Sequence, residues 1–497
     1  MKLPYRTAAA ILTFIGLLWL PRVLPALKAF ATFDPQTIAK VIELPVPKPK
    51  PDSTTDLGPN LKPIIVHPPT FLSDPKHELD HFYDALTRGG TVRILHYGDS
   101  PTTGDLITAD ARAMLQKQFG DAGSGFILIS KPWAWYTRRN VDMSASSNWK
   151  IDIAGIATLK DGMHGVAGVT FIGSTGASAN WKLATRHSIV EAAYLAQPDG
   201  GSFEIFADDK SLGVVDTAGD RAPGYTQFEV PDGATHFALK VTKGTVRLYG
   251  VEFRKHASGI IYSSLGINGA NITVLSHAFN YPHWTAELHH YKPDLVIVNY
   301  GTNESGFEKF VTTTWGPELK EAVRRLRTAL PNSSVLLMSP MDRGDKNQSG
   351  EIVTTPALPK LVQIESQVAA ETGVAFFNTF QAMGGEGTMA KWYAAEPRLV
   401  SADFIHPTWY GAKIVGELLY NGLHDGYNGY KLRQLEDRVG ATETASSDHP
   451  SDHVQSDGPG DREKSDRLVD REKKSDPLGD RNRKSAAPKQ ESHEAKH

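Results

Sequence analysis

The sequence predicts an α/β fold on a parallel sheet, interrupted by an inserted all-β sandwich module. Three observations carry that prediction. Strand and helix patterns alternate from about Thr91 to Gly120, short β-rich runs replace the helix signal up to about Lys255, and the α/β alternation returns from about Ile260 to Gly422.

In chain order, residues 92–97 form a short apolar strand, and residues 105–119 repeat Leu106, Ile107, Ala111, Met114 and Leu115 at helical spacing. Inside the interruption, residues 202–207, 236–241 and 246–253 are strand-like runs separated by Gly, Asp and Pro turns, the texture of a β-sandwich. Beyond it, residues 295–300 and 334–339 are buried strands with a helix between them over 317–330. That order favours parallel pairing.

The ends differ from the middle. Lys2 and Arg6 precede an apolar run from Ala8 to Leu20, the pattern of a signal peptide or signal anchor over 1–31, with Ala29-Phe30-Ala31 as a small-residue cleavage site. Residues 32–69 are a Pro-rich spacer of extended, polyproline-like chain. The α/β domain then occupies 70–125 and 259–432, the β module 126–258, and a charged, repetitive tail 441–497 is expected to be disordered. The predicted location is therefore outside the cytoplasm, in the periplasm or cell envelope, with membrane contact through the N-terminal segment if it is not cleaved.

Composition narrows the chemistry. In 497 residues the formal net charge is −3, which supplies no field for binding nucleic acid. Cysteine is absent, which excludes disulfides, thiolate metal sites and a thiol nucleophile, and leaves covalent catalysis to Ser, Thr, Lys or a carboxylate. His289-His290 is the one pairing that invites a metal. No further ligands stand at useful spacing, so neither metal nor cofactor is expected.

Three short blocks carry chemistry. Gly98-Asp-Ser100 follows the first strand and precedes a helix, where a serine and its own backbone N–H face the ligand crevice of a parallel sheet. The same tripeptide also fits a helix-capping turn. Gly301-Thr-Asn-Glu304 follows a later strand, where the Asn303 amide can donate to a developing oxyanion, or else hold a turn. Asp403-Phe-Ile-His406 supplies a base and the carboxylate that orients it, which a protonated serine needs. Asp74 with His77 and Asp161 with His164 have the same spacing, but only Asp403 and His406 follow the last predicted strand of the α/β domain.

In that order the blocks resemble the SGNH (GDSL-type) hydrolases. The resemblance implies a three-layer α/β/α sandwich with a parallel sheet, Ser100, Asp403 and His406 as catalytic residues, and an oxyanion hole of Ser100, Gly269 and Asn303. Gly266 is the alternate for Gly269, because residues 265–270 fit the family's second block in either register. Glu304 stands where the family usually has Asp, so it joins Asp342 and Arg343 as a possible substrate-binding residue.

Residues 246–253 and 259–270, with Gly-Thr-Asn-Glu, are similar to bacterial O-acetylpeptidoglycan esterases that carry an inserted carbohydrate-binding-module-like β-sandwich. This likeness implies an acetylated glycan substrate, O-acetyl muramic acid of peptidoglycan first. An O-acetyltransferase with the same three residues and a noncatalytic glycan-binding protein are the alternatives. Trp133, Trp135, Tyr136, Trp149 and Trp181 are candidates for a sugar-stacking platform, each equally suited to core packing.

Overall fold

A computed structural model describes residues 71–447. The expectations for 1–31, for 32–69 and for the tail beyond 447 lie outside the described residues.

The first strands are β1 (Leu72–Ser73), β2 (Thr91–Gly98) and β3 (Asp121–Ile127). Eight follow in the strand-rich region: β4 (Val141–Ala145), β5 (Lys150–Ile153), β6 (Val169–Ser174), β7 (Ser178–Ala196), β8 (Ser202–Ala207), β9 (Lys210–Asp216), β10 (Ala222–Lys243) and β11 (Thr245–Arg254). Then come β12 (Gly259–Gly266), β13 (Leu295–Asn299), β14 (Ser334–Met338), a hairpin of β15 (Gly344–Lys346) and β16 (Ile352–Thr354), and β17 (Ala375–Phe377).

The core of the fold is a parallel sheet in the order β17-β14-β13-β2-β12-β3, with β1 antiparallel at the β17 edge. Every residue of β13 and β14 is buried, which requires cover on both faces and explains why these strands, apart from the terminal Asn299 and Ser334, are continuously apolar instead of alternating. Helices supply the cover, and the fold is that of an α/β SGNH hydrolase. The helices include α1 (Asp80–Arg88), α2 (Ser100–Thr103, a single turn), α3 (Leu106–Phe119), α4 (Tyr281–Tyr291), α5 (Gly316–Ala329), α6 (Leu358–Thr372) and α7 (Trp409–Ser447).

The strand-rich region is hydrogen-bonded to that sheet without a break. Val251–Arg254 of β11 pair antiparallel with Gly123–Ile127 of β3, and the ladder continues β11-β7-β10-β8-β9 to form a single network of fifteen strands. The pairing covers the edge of β3 that β12 leaves open, where unpaired N–H and C=O groups would otherwise face solvent. Register shifts between Glu229 and Ala234 and between Ala234 and His236 mark bulges that bend the long β10–β7 ribbon. Strand patterns along the sequence reveal neither the shared ladder nor the bulges, because both depend on partners far away in the chain.

The described chain divides into a compact unit ending at Gly426 and a second unit beginning at Tyr427. Disorder expected from Ala441 is corrected over its first residues: α7 runs on to Ser447, through a stretch with the helix formers Ala and Glu.

Candidate active site

Strand β2 sits at the centre of the parallel sheet, and its last residue fixes the geometry. Gly98 is in register with Gly266 of β12 on one side and Asn299 of β13 on the other, so three loops emerge side by side from the carboxyl ends of neighbouring strands. They carry Ser100, Gly269 and Asn303. Glycine is required at Gly98, where a Cβ would collide with Thr102 Oγ1 and press on the Asn299 carbonyl. It is required equally at Gly266, where a Cβ would overlap the backbone of Thr102 and Thr103. Gly266 thus serves close packing of β12 against α2, whereas Gly269 is exposed at φ +70° with open space around it.

Ser100 is the first residue of α2, followed by Pro101, whose fixed φ and missing N–H suit the first turn of a helix. First-turn N–H groups have no acceptor within the helix, so they remain available to a ligand. Ser100 Oγ lies 2.7 Å from His406 Nε2, and His406 Nδ1 lies 2.7 Å from Asp403 Oδ2. The other carboxylate oxygen, Asp403 Oδ1, accepts the backbone N–H groups of Ile405 at 2.9 Å and His406 at 3.0 Å.

The turn between them is held in an unusual conformation. Phe404 has φ +59°, its carbonyl accepts the Gly344 N–H at 2.9 Å, and its ring packs edge-on against Tyr393. Partial burial alone would raise the pKa of Asp403. The hydrogen bonds from His406 and Ile405 outweigh it and hold the carboxyl below its usual range. The group opens into a cleft of about 480 Å³ that Leu106, Trp135, Thr137, Ser401, Pro407 and Trp409 also line. This arrangement can deprotonate a serine hydroxyl, orient the base that does so, and admit a substrate from solvent.

Other predicted residues fall in different places. The Asn303 side chain donates through Nδ2 to the Ala270 carbonyl at 2.7 Å, which ties its loop to that of Gly269. An amide nitrogen carries two hydrogens, so one remains for a ligand. Glu304 is corrected from substrate binding to support. It is buried, and its two oxygens accept the N–H groups of Ile272 at 2.8 Å and Gly301 at 3.1 Å. Burial pushes its carboxyl up to about 7 against those hydrogen bonds.

Asp342 is corrected in the same way. It is buried, accepts the N–H groups of Arg343 and Met389, and is raised by burial. Arg343 donates to the Thr302 carbonyl at 2.9 Å, so it braces the Asn303 loop from outside the cleft lining.

Most of the expected aromatic platform is core. Trp181, Trp149 and Tyr136 are buried, with Tyr136 Oη accepting the Leu128 N–H, and Trp133 packs against the same core. Only Trp135 of the five lines the cleft. His289 and His290 are occupied by the Ala329 carbonyl and by Glu191. The two look-alike pairs do other work: Asp74 accepts the N–H groups of Glu78 and Leu79 just ahead of α1, and Asp161 forms a two-point ion pair with Arg247.

Three features of the site were not foreseen from sequence. Trp409 lines the cleft, although its place three residues after His406 was a usable signal. Asp99 is buried beside Ser100, and burial pushes its carboxyl up to about 6 against hydrogen bonds from Thr302 and the attraction of His406.

Directly after α2, Asp105 sits at φ +49° with its side chain buried. Its oxygens accept from Arg112 at 2.8 and 2.6 Å, from Arg138 at 3.2 Å, from Thr108 at 2.7 Å and from the Arg139 N–H at 2.9 Å. Burial disfavours the Asp105 anion, but the two guanidiniums win and hold its pKa far below the usual carboxylate range. These partners are 3 to 34 residues away, a spread that matches no sequence motif.

The fold and this geometry resemble those of SGNH-type hydrolases, and a family match agrees over part of the chain. Residues 242–414 match the GDSL-like Lipase/Acylhydrolase family, so that part of the chain carries a GDSL-like domain. The match contains Gly269, Asn303, Asp403 and His406 but begins after Ser100, which the strand-rich region separates from the rest.

Among solved structures, a peptidoglycan O-acetylesterase is 22% identical over 72% of this chain and 99% of its own, with a TM-score of 0.61, and shares the fold. A Bacillus subtilis protein at 13% identity covers 57% of this chain and 90% of its own, TM-score 0.29. A two-domain esterase active on acetylated mannans, 12% identical, covers 72% of this chain and 56% of its own, TM-score 0.34. No curated protein sequence matches the chain.

Proposed function

We propose that this protein is an exported serine esterase that removes O-acetyl groups from a cell-envelope glycan, with the O-acetyl muramic acid of peptidoglycan as first substrate. The observation that carries the reading is the unbroken chain of contacts from Ser100 Oγ through His406 to Asp403, open to a cleft. In the proposed reaction His406 Nε2 takes the Ser100 proton as Oγ attacks the acetyl carbonyl. Asp403 holds the Nδ1–H tautomer and stabilises the imidazolium.

The tetrahedral oxyanion is met by the N–H groups of Ser100 and Gly269 and the free hydrogen of the Asn303 amide, each donor worth about 10² to 10³ in rate. His406 returns the proton to the departing sugar hydroxyl, then activates the water that releases acetate. Peptidoglycan comes first because of the likeness in residues 246–270 and the fold shared with a peptidoglycan O-acetylesterase. The N-terminal apolar run supports export.

The test is acetate release from O-acetylated peptidoglycan and from acetylated xylan, with a de-acetylated muroglycan present as competing acceptor. The expected result is free acetate, fastest from peptidoglycan. Acetyl transfer to the acceptor in place of free acetate would reassign the protein as a transferase, and faster release from xylan would overturn the substrate.

A further inference from the structure

We propose that Trp135 and Trp409 form the sugar-binding walls of the catalytic cleft, and that they select an acetylated pyranose within a glycan chain over a small or fatty acyl ester. The proposal rests on the esterase reading for the identity of the reacting group, but its own evidence is the shape and chemistry of the cleft.

Exposed large apolar side chains are few among the described residues. Trp135, at 54%, and Trp409, at 56%, are the two tryptophans among them, and both line the cleft that holds Ser100 and His406. Leaving an indole half in water forgoes burial of a side chain that ordinarily removes 150–250 Å² from solvent, so two together at one cleft are unusual for a surface with no ligand.

Neither ring is loose. Trp135 donates Nε1–H to Asn268 Oδ1 at 3.1 Å, one residue from Gly269. Over Trp409 lies the Arg139 guanidinium, 5.5 Å from the ring centroid, itself fixed by Asp110 through hydrogen bonds of 2.7 and 2.8 Å.

The segment carrying Trp135 is also anchored to the catalytic helix. Thr137 Oγ1 donates to the Gly104 carbonyl at 2.8 Å, and the Arg139 N–H and Arg138 guanidinium both donate to Asp105. Gly104 and Asp105 follow directly on α2, whose first residue is Ser100. Both walls are therefore set at fixed positions relative to the nucleophile. Such preorganisation lowers the ordering cost of binding.

The cleft chemistry identifies the occupant. A pyranose has C–H faces that pack on aromatic faces and hydroxyl edges that need polar partners, and here two indoles stand with the hydroxyls of Thr137 and Ser401. A fatty acyl chain needs a long aliphatic tunnel, yet the aliphatic lining is limited to Leu106 and Pro407. The volume of about 480 Å³ falls inside the ~300–1,000 Å³ range of small-molecule sites.

The experiment measures binding apart from catalysis. In the Ser100→Ala protein, binding of O-acetylated peptidoglycan strands and of acetylated xylan is followed by tryptophan fluorescence and by co-sedimentation. Trp135→Ala or Trp409→Ala in that background is expected to weaken binding at least tenfold, and Trp135→Phe to restore most of it. In the otherwise wild-type enzyme each alanine variant is expected to lose at least tenfold more kcat/KM on the glycan than on p-nitrophenyl acetate, through KM.

Unchanged glycan binding by both alanine variants, no glycan binding by Ser100→Ala, or an equal loss on polymer and small ester would each overturn the subsite. Binding that depends on the two tryptophans in a protein that releases no acetate would sustain the subsite and overturn the esterase reading instead.

Discussion

Two aspartates near Ser100 each meet a basic side chain, and the contrast between them separates chemistry from architecture. Asp403 meets His406 at the surface, with side-chain exposures of 47% and 39%, through a partner whose charge can change during a reaction. Asp105 meets Arg112 and Arg138 in the interior, with its side chain 1% exposed, and guanidiniums do not give up their protons. The first pair can move a proton and admit a substrate. The second can only hold, and what it holds is the junction between α2 and the segment that carries Trp135. A carboxylate beside a base is therefore not diagnostic by itself. Exposure and the identity of the base decide its role.

The comparison breaks most visibly at Asp403. Replacing it with Asn leaves His406 without the acceptor that fixes its tautomer, and kcat on a small acetyl ester is expected to fall by up to about 10⁴-fold with little change in KM. Near-normal turnover would mean that His406 is oriented by something else.

At Asp105 the expected effect is on stability. Asp105→Asn leaves two buried guanidiniums uncompensated and is expected to cost about 3–5 kcal/mol, read as a lowered denaturant midpoint. The wild-type protein gives an independent check through pH. Because the folded-state pKa of Asp105 is depressed, its stabilisation is complete above the unfolded value of about 3.9 and is lost as pH falls through the lower folded value. Denaturant midpoints should therefore drop below about pH 4, and a variant lacking Asp105 should lose part of that acid dependence. A variant as stable as wild type would show that the cluster holds nothing.

The distinction also accounts for what sequence could reveal. Strand-end placement singled out Ser100, Asp403 and His406, which the structure brings into hydrogen-bond contact, because these side chains lie in loops whose position follows from the strand preceding them. The parallel sheet was legible for a related reason: strands such as residues 295–299 run apolar from Leu295 to Val298 because both faces are covered.

Glu304 and Asp342 were misread as substrate contacts because a polar residue after a core strand has the same sequence signature whether it faces solvent or folds back onto backbone N–H groups. The Asp105 cluster was invisible, since Arg112 follows by 7 residues and Arg138 by 33. The aromatic candidates divided by burial, which depends on partners distant in the chain, such as Gly173 against Trp149 and Phe253 against Trp181, and not on their local sequence.

The most direct measurement of the central claim is acetate release from a small acetyl ester by the Ser100→Ala protein against wild type, with circular dichroism confirming that both are folded. The predicted result is loss of turnover in a folded variant, because the hydroxyl that His406 Nε2 contacts at 2.7 Å is the nucleophile. Undiminished acetate release by folded Ser100→Ala would contradict it.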